Sequence, residues 1–242
     1  PGNNGGDGYC VAERLKAAGL AVRLWALAPP RPGSDAERAA AETTLPVGRL
    51  VDFRPAAGAV VSDALFGAGL SRGLEGEAAA CAERCTASGA RVIAVDLPSG
   101  VAGETGKVHT LAFRAEATVT FERAKLGHLL LPGSGCCGDC VVADIGLGAG
   151  AVRAAGAAVW RNDPAMWRAL LPDPGVTAHK YNRGHVAVFS GGPLSTGAAR
   201  LSAHAAARTG AGAVTVLSPP DALAVNAAHL TSIMLAAAAD AA

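Results

Sequence analysis

The chain opens with Pro1-Gly2-Asn3-Asn4-Gly5-Gly6-Asp7-Gly8, a stretch in which four of eight residues are glycine. That composition is typical of a loop rather than of a strand or helix, and glycine lets a ligand approach bare backbone. Apolar residues then recur at helical spacing as far as Gly19, where a helix is predicted to stop. The stretch predicts a glycine-rich loop opening a helix, where backbone N–H groups favour an anion such as phosphate. An ordinary Asn-Gly turn is the alternative.

Strand-like and helix-like segments alternate beyond this stretch. Strands are predicted over residues 21–27, 59–63, 91–95, 117–121 and 141–145, and helices over 36–43 and 77–88. This alternation predicts an α/β fold, a mostly parallel sheet with helices on both faces. Asp63 and Asp96 each end a predicted strand, and ligands bind beyond the carboxyl ends of such strands. Either aspartate alone is explained as a turn or N-cap residue, but together with the glycine-rich stretch they predict a site at one rim.

The character of the sequence changes near residue 151. A connecting stretch with Pro164, Pro172 and Pro174 leads to a predicted strand over residues 185–190. A second glycine-rich loop follows at 191–197, then a predicted helix over 198–209 and a strand over 213–217. This pattern predicts a second βαβ unit, so we expect one domain over residues 1–160 and part of another over 161–242.

Composition excludes some classes of partner. With 21 basic and 20 acidic residues the formal net charge is +1, so the basic footprint of a nucleic-acid-binding protein is absent. No run of about 18 residues is apolar and free of charge, so we expect no membrane span. Of the six cysteines, Cys136, Cys137 and Cys140 are clustered. Without a second Cys-x-x-Cys pair they favour reduced thiols in a cytoplasmic protein over a zinc site.

Four motifs in order over about half of the chain resemble the NAD(P)H-hydrate epimerase family. They are residues 3–8, Asp63-Ala64-Leu65-Phe66-Gly67-Ala68-Gly69-Leu70, Asp96-Leu97-Pro98-Ser99-Gly100 and Ala124-Lys125-Leu126-Gly127. Residues 179–216 resemble the start of an ADP-dependent NAD(P)H-hydrate dehydratase. The resemblance therefore implies a Rossmann-like three-layer αβα domain followed by the beginning of a ribokinase-like domain, in the order of a bifunctional repair enzyme.

The resemblance implies a small-molecule substrate, NADH or NADPH hydrated on its nicotinamide ring, whose two epimers the family interconverts. We expect Asp96 to be the acid–base group, because such an exchange needs a carboxyl that gives and takes a proton, and Lys125 to tune or position it. A potassium ion is implied at Asn4, Asp63 and Ser99, whose oxygens suit a hard cation. The residues implied for substrate binding are Asn3, Asn4, Gly5, Gly6, Asp7, Gly67, Ala68, Gly69, Leu70, Ser71, Arg72, Gly73, Asp96 and, in the second domain, Ala198.

The family's pattern extends past both ends of this sequence. The chain does not begin with Met, and the resemblance implies a helical segment and a first strand upstream. The dehydratase loop that carries a catalytic aspartate is implied beyond residue 242. We therefore expect this chain to be incomplete for both activities and the ADP or ATP site to be incomplete within it.

Two other classes of protein stay open at this point. Proteins of the same fold serve as non-catalytic interaction domains in RNA-decay scaffolds, but a scaffold has no need of Asn4, Asp63 and Asp96 together. A generic nucleotide-binding protein is the other alternative, and the first loop lacks the G-x-G-x-x-G fingerprint of that class. The preference between NADH and NADPH hydrate and the possibility of a homo-oligomer are left open by the sequence.

Overall fold

The computed structural model describes residues 2–173 and 175–238; the sequence-based expectations for Pro1, Pro174 and residues 239–242 lie outside the described residues. The chain divides into two compact units, Pro1–Ala158 and Val159–Ala242. Both contain helices and parallel sheet, so the chain is an α/β protein.

The first unit alternates strands and helices along the chain. Its elements are α1 Asn3–Ala17, β1 Leu24–Ala26, α2 Asp35–Glu42, β2 Val47–Arg49, β3 Val60–Asp63, α3 Gly76–Ser88, β4 Arg91–Val95, β5 Ala117–Phe121, α4 Leu126–Leu129, β6 Asp139–Ala143 and α5 Gly148–Ala154. One sheet has the order β3-β4-β5-β6, all parallel. In the described residues β1 pairs with β2 alone, so the single sheet expected from the sequence is divided into two.

The prediction that the opening glycine-rich stretch forms a loop is wrong. Helix α1 already begins at Asn3, inside that stretch. The reason is tertiary packing: a Cβ on Gly6 would lie 3.0 Å from the Ala36 Cα, and one on Gly8 would lie 2.8 Å from the Ala64 Cβ. These glycines let the helix approach its neighbours closely, and packing of this kind outweighs their low helix propensity.

The other strand and helix predictions are confirmed within a few residues. Helix α3 ends at Ser88 and is capped by Gly89, which adopts the left-handed conformation (φ 67°) that glycine favours at a helix end. The core of the first unit lies between this helix and the sheet and includes Phe53, Leu74, Ala78 and Val92. Asp63 is the last residue of β3 and Asp96 follows β4, so both lie at the carboxyl edge of the sheet.

The second unit contains the predicted βαβ pattern. Its elements are α6 Pro164–Trp167, β7 His185–Phe189, α7 Gly197–Arg208, β8 Ala213–Ser218, α8 Leu223–His229 and β9 Met234–Ala237. The strands form a parallel sheet of order β7-β8-β9. No helix in the described part of either unit is long and apolar enough to cross a membrane.

Candidate active site

Asp96 has an unusual backbone conformation at the end of β4. Its φ is +66°, a region that costs a residue with a side chain about 1–2 kcal/mol and that aspartate tolerates better than most. Its N–H still donates to the Val119 carbonyl of the neighbouring strand at 2.7 Å. Such strain persists only where the surroundings fix it, and it is concentrated at functional sites.

The Asp96 carboxylate accepts three hydrogen bonds and has a side chain only 14 % exposed. Lys125 Nζ donates to Oδ1 at 2.8 Å, Thr120 Oγ1 donates to Oδ1 at 2.9 Å, and the Ala68 N–H donates to Oδ2 at 2.8 Å. Burial by itself raises the pKa of Asp96, but the bond from Lys125, with those from Ala68 and Thr120, lowers the pKa overall below its ordinary value. Asp96 is therefore ionised at neutral pH.

Lys125 is held by three acceptors. Besides Asp96, its Nζ donates to Thr120 Oγ1 at 2.7 Å and to the Phe121 carbonyl at 3.1 Å. Thr120 is fully buried and was not predicted as a site residue from the sequence. A sequence feature that could have identified it is the repeat of threonine at Thr118 and Thr120 in an otherwise apolar strand, because alternate residues of a strand lie on the same face.

Asp63 and Ser99 join the ends of β3 and β4. The Ser99 N–H donates to Asp63 Oδ2 and the Ser99 hydroxyl to Oδ1, both at 2.7 Å, and the Leu65 N–H donates to Oδ1 at 3.2 Å. Asp63 is 2 % exposed, and its burial raises the pKa from 3.8 to about 6 despite these bonds. The pair brings a buried carboxylate and a hydroxyl oxygen together at the rim.

The first turn of α1 meets this rim at Gly67. A Cβ on Gly67 would lie 2.7 Å from Asp96 Oδ2 and 3.2 Å from Asn4 Oδ1. Asn4 Oδ1 and Nδ2 are both buried, and neither has a hydrogen-bond partner within the described part of the chain. A buried amide without partners is costly, so this arrangement fits a ligand that contacts the Asn4 side chain.

A cavity of about 280 Å³ lies between α1 and α2. Asn3, Gly6 and Asp7 line it, together with Cys10 and residues of α2. Burial raises the pKa of Asp7, and the negative charge of Asp96 raises it further. Asp7, which lines this cavity, is therefore within electrostatic reach of Asp96.

The structure does not bring every predicted site residue to this rim. Gly69, Ser71 and Arg72 are exposed, and the described contacts do not join them to Asp96. Leu70 packs against the core of the first unit, and a Cβ on Gly73 would clash with Thr110 at 2.7 Å. Of the other predicted residues, Gly5 lies beside Asn4 at the start of α1, and Ala198 is exposed in the first turn of α7, in the second unit.

The donors available for a cation are oxygen atoms of mixed type. In residues 2–173 and 175–238 no group of three or more His, Cys, Asp or Glu side chains could hold a metal ion, and the six cysteines are free thiols. The unpartnered Asn4 amide oxygen and the Asp63–Ser99 pair instead offer an amide, a carboxylate and a hydroxyl, the donor types that suit a hard cation.

These features define an α/β protein with an ionised, lysine-paired aspartate at the carboxyl edge of a parallel sheet. Residues 1–127 match the family described as YjeF-related protein N-terminus, and the chain belongs to this family.

Relatives of two kinds are similar to the chain. An NAD(P)H-hydrate epimerase of Levilactobacillus brevis is 36% identical over 151 residues, which cover 60% of this chain and 69% of that protein. The bifunctional NAD(P)H-hydrate repair enzyme Nnr of Thermofilum pendens is 36% identical over 223 residues, which cover 88% of this chain and 42% of that enzyme. The chain thus spans less than half the length of the bifunctional relatives. A crystal structure of the yeast protein YNL200c covers 60% of this chain and 62% of its own with a TM-score of 0.49 and 18% identity, a likeness too low to bear on function.

Proposed function

We propose that the first unit is an NAD(P)H-hydrate epimerase with a Rossmann-like three-layer arrangement, acting in metabolite repair. The observation that supports this most directly is the Asp96 carboxylate, buried, ionised and bonded at 2.8 Å to Lys125 Nζ, next to the unpartnered amide of Asn4. Membership of the family and the similarity to the Levilactobacillus brevis epimerase point in the same direction.

The reaction exchanges the configuration of a hydroxyl beside the ring nitrogen. The nitrogen lone pair expels the hydroxyl, which leaves as water. Because Asp96 is ionised, the proton comes from the Lys125 ammonium and is passed to the leaving oxygen through the Asp96 carboxylate. The product is a planar iminium, and the Asp96 carboxylate stabilises its positive charge. Water then adds to either face of the ring and returns its proton to the pair, which regenerates the starting protonation state.

The remaining residues bind and orient the substrate. Asn3 and Asp7 line the cavity between α1 and α2, Asn4 faces Gly67 and Asp96 at the rim, and N–H groups at a helix start favour phosphate. Gly67 and the Ala68 N–H complete the wall around Asp96. A potassium ion held by Asn4, Asp63 and Ser99 would order these loops and offset phosphate charge when bound.

The test is an epimer-exchange assay. Because the family's pattern implies a helical segment and a strand upstream, each purified epimer of hydrated NADH is incubated both with the chain and with a form that carries that upstream segment. Formation of the other epimer is followed by chromatography and corrected for the spontaneous exchange. Exchange above the spontaneous rate supports the proposal. Substrate binding without exchange would favour a nucleotide-binding protein, and neither binding nor exchange would favour the interaction-domain alternative.

For the second unit we propose that it is the beginning of a ribokinase-like dehydratase domain, to which Ala198 contributes. Its support is the parallel β7-α7-β8 unit and the coverage of bifunctional relatives. Because the implied catalytic aspartate is not among residues 1–242, we expect no conversion of hydrate to NADH by this chain when ADP or ATP is supplied. Turnover followed at the NADH absorbance band would contradict this expectation and would show that the groups needed for dehydration lie within residues 1–242.

A further inference from the structure

His128 bonds to the main chain of both residues that the proposed reaction uses. The imidazole is 6 % exposed and lies on α4, directly after Lys125. Its Nδ1 accepts a hydrogen bond from the Lys125 N–H at 2.9 Å, and its Nε2 lies 2.7 Å from the Asp96 carbonyl oxygen. One ring therefore spans the backbones of the two residues whose side chains meet at 2.8 Å.

The two partners determine the protonation state of the ring. An N–H group can only donate and a carbonyl can only accept, so Nδ1 must carry a lone pair and Nε2 must carry the proton. His128 is thus neutral, in the Nε2–H tautomer. A charged ring, or the other tautomer, would lose the bond from Lys125.

The hydrogen bond from His128 Nε2 is made to the residue with the strained backbone. Its acceptor is the carbonyl of Asp96, the residue held at φ +66°, where a small rotation of the backbone would move the carboxylate. The helix that carries the ring is anchored: the Gly127 N–H donates to the Gly103 carbonyl at 2.9 Å, and a Cβ on Gly127 would lie 2.9 Å from the Ala102 carbonyl oxygen. Close packing of α4 therefore fixes the ring against the Asp96 backbone.

We infer that His128 is a positioning residue that holds the Asp96 carboxylate and the Lys125 ammonium at hydrogen-bond distance from each other by bonding to the backbones of both. This inference rests on the proposed epimerase function. His128 does not touch the reacting atoms. It acts by keeping the two groups that do so at hydrogen-bond distance, and misplacing a catalytic group by about 1 Å can cost roughly 100-fold in rate.

Two substitutions separate the two bonds. In His128→Asn the amide oxygen takes the place of Nδ1 and can still accept from Lys125, but the donor to Asp96 is lost. In His128→Gln the amide nitrogen can still reach the Asp96 carbonyl, but the acceptor for Lys125 is lost. If His128 positions the pair, we expect each variant to lower kcat by about 10- to 100-fold and to leave KM unchanged, because the substrate-binding residues of α1 are untouched.

Val92→Ala provides the matched control for loss of stability. Val92 is buried in the core of the first unit at 3 % exposure and is not among the site residues. This variant lowers Tm, and we expect it to leave kcat and KM at their wild-type values. Wild-type kcat in both His128 variants, or a similar fall in kcat in Val92→Ala at a similar Tm, would overturn the positioning role.

A readout that does not depend on activity checks the bonding itself. Long-range ¹H–¹⁵N NMR of the full chain, with the His128 signals assigned by their loss in His128→Gln, is expected to show a neutral ring protonated at Nε2. A charged ring or an Nδ1–H tautomer at neutral pH would refute the inference even if the enzyme is active. Absence of epimer exchange by the wild-type protein, with and without the upstream segment, would instead refute the proposed function, so the two failures are distinguishable.

Discussion

Replacing Asp96 by Asn is the sharpest perturbation of the proposed mechanism. The amide has the shape of the carboxylate, and asparagine also tolerates the left-handed backbone conformation at φ +66°, so the backbone is expected to stay in place. Alanine would add backbone strain to the loss of the carboxyl. The Asn variant therefore removes the negative charge and the proton-transfer capacity of the carboxyl with little change in its shape.

The structure determines how the amide will orient. Oδ1 of Asp96 accepts from both Lys125 and Thr120, whereas Oδ2 accepts from the Ala68 N–H alone. The amide oxygen should keep the two donors, which leaves the amide nitrogen facing the Ala68 N–H. One unsatisfied buried group costs about 1–3 kcal/mol, and a domain of 150–250 residues loses roughly 2–4 °C of Tm for each kcal/mol. Thermal unfolding should therefore show a measurable but limited decrease.

The effect on rate should be much larger. Loss of a proton-transfer group typically costs about 100-fold or more, which corresponds to roughly 2.7 kcal/mol in the activation free energy. The assay is exchange between the purified epimers of hydrated NADH, with binding measured by calorimetry. Asp52→Asn, at an exposed position of the short 3-10 helix Leu50–Asp52, is the control for the change in charge. An Asp96→Asn variant that exchanges epimers at the wild-type rate would refute the assigned role.

Other predictions follow from burial and close contacts. The pKa of Asp63 is raised from 3.8 to about 6, so in potassium-free buffer the carboxyl contributes stability below pH 4, which is lost as the pH rises through 6. The loss is about 3 kcal/mol in the free energy of unfolding. Chemical denaturation at several pH values measures it, and Asp63→Asn should abolish this dependence on pH. Potassium chloride, but not a tetramethylammonium salt, should restore stability at pH 7, and a wild-type free energy of unfolding that does not change with pH would contradict the burial argument. Gly67→Ala places a Cβ 2.7 Å from Asp96 Oδ2 and should reduce epimer exchange, whereas Gly69→Ala, with nothing within 4 Å, should not; equal rates in the two variants would contradict the geometry. Gly8→Ala places a Cβ 2.8 Å from the Ala64 side chain and should destabilise the fold by about 1–3 kcal/mol. Gly5→Ala has open space around the new Cβ and should stabilise α1 by about 0.5–1 kcal/mol. Thermal unfolding compares the two variants, and a Gly8→Ala variant more stable than the wild type would show that α1 does not pack this closely.

Local sequence patterns determined most of the strands and helices. The strands Arg91–Val95 and Ala117–Phe121 have the predicted bounds, because runs of β-branched residues fit a parallel sheet buried on both faces. The same patterns placed Asp63 and Asp96 at strand ends, and parallel pairing of β3 with β4 puts those ends at one edge. The βαβ pattern of the second unit was likewise readable, since it depends on period and turn residues alone.

Only the tertiary structure decided where α1 begins and what surrounds Asp96. Asn3 starts a helix, despite the glycines that follow, because Gly6 and Gly8 are sites of close approach to residues far along the chain. Lys125 is 29 positions from Asp96 and Ala68 is 28, and no local pattern states that their donors converge on one carboxylate. Propensity and periodicity describe neighbours along the chain, whereas a hydrogen bond at 2.8 Å depends on how separate elements pack, which is determined by the whole core.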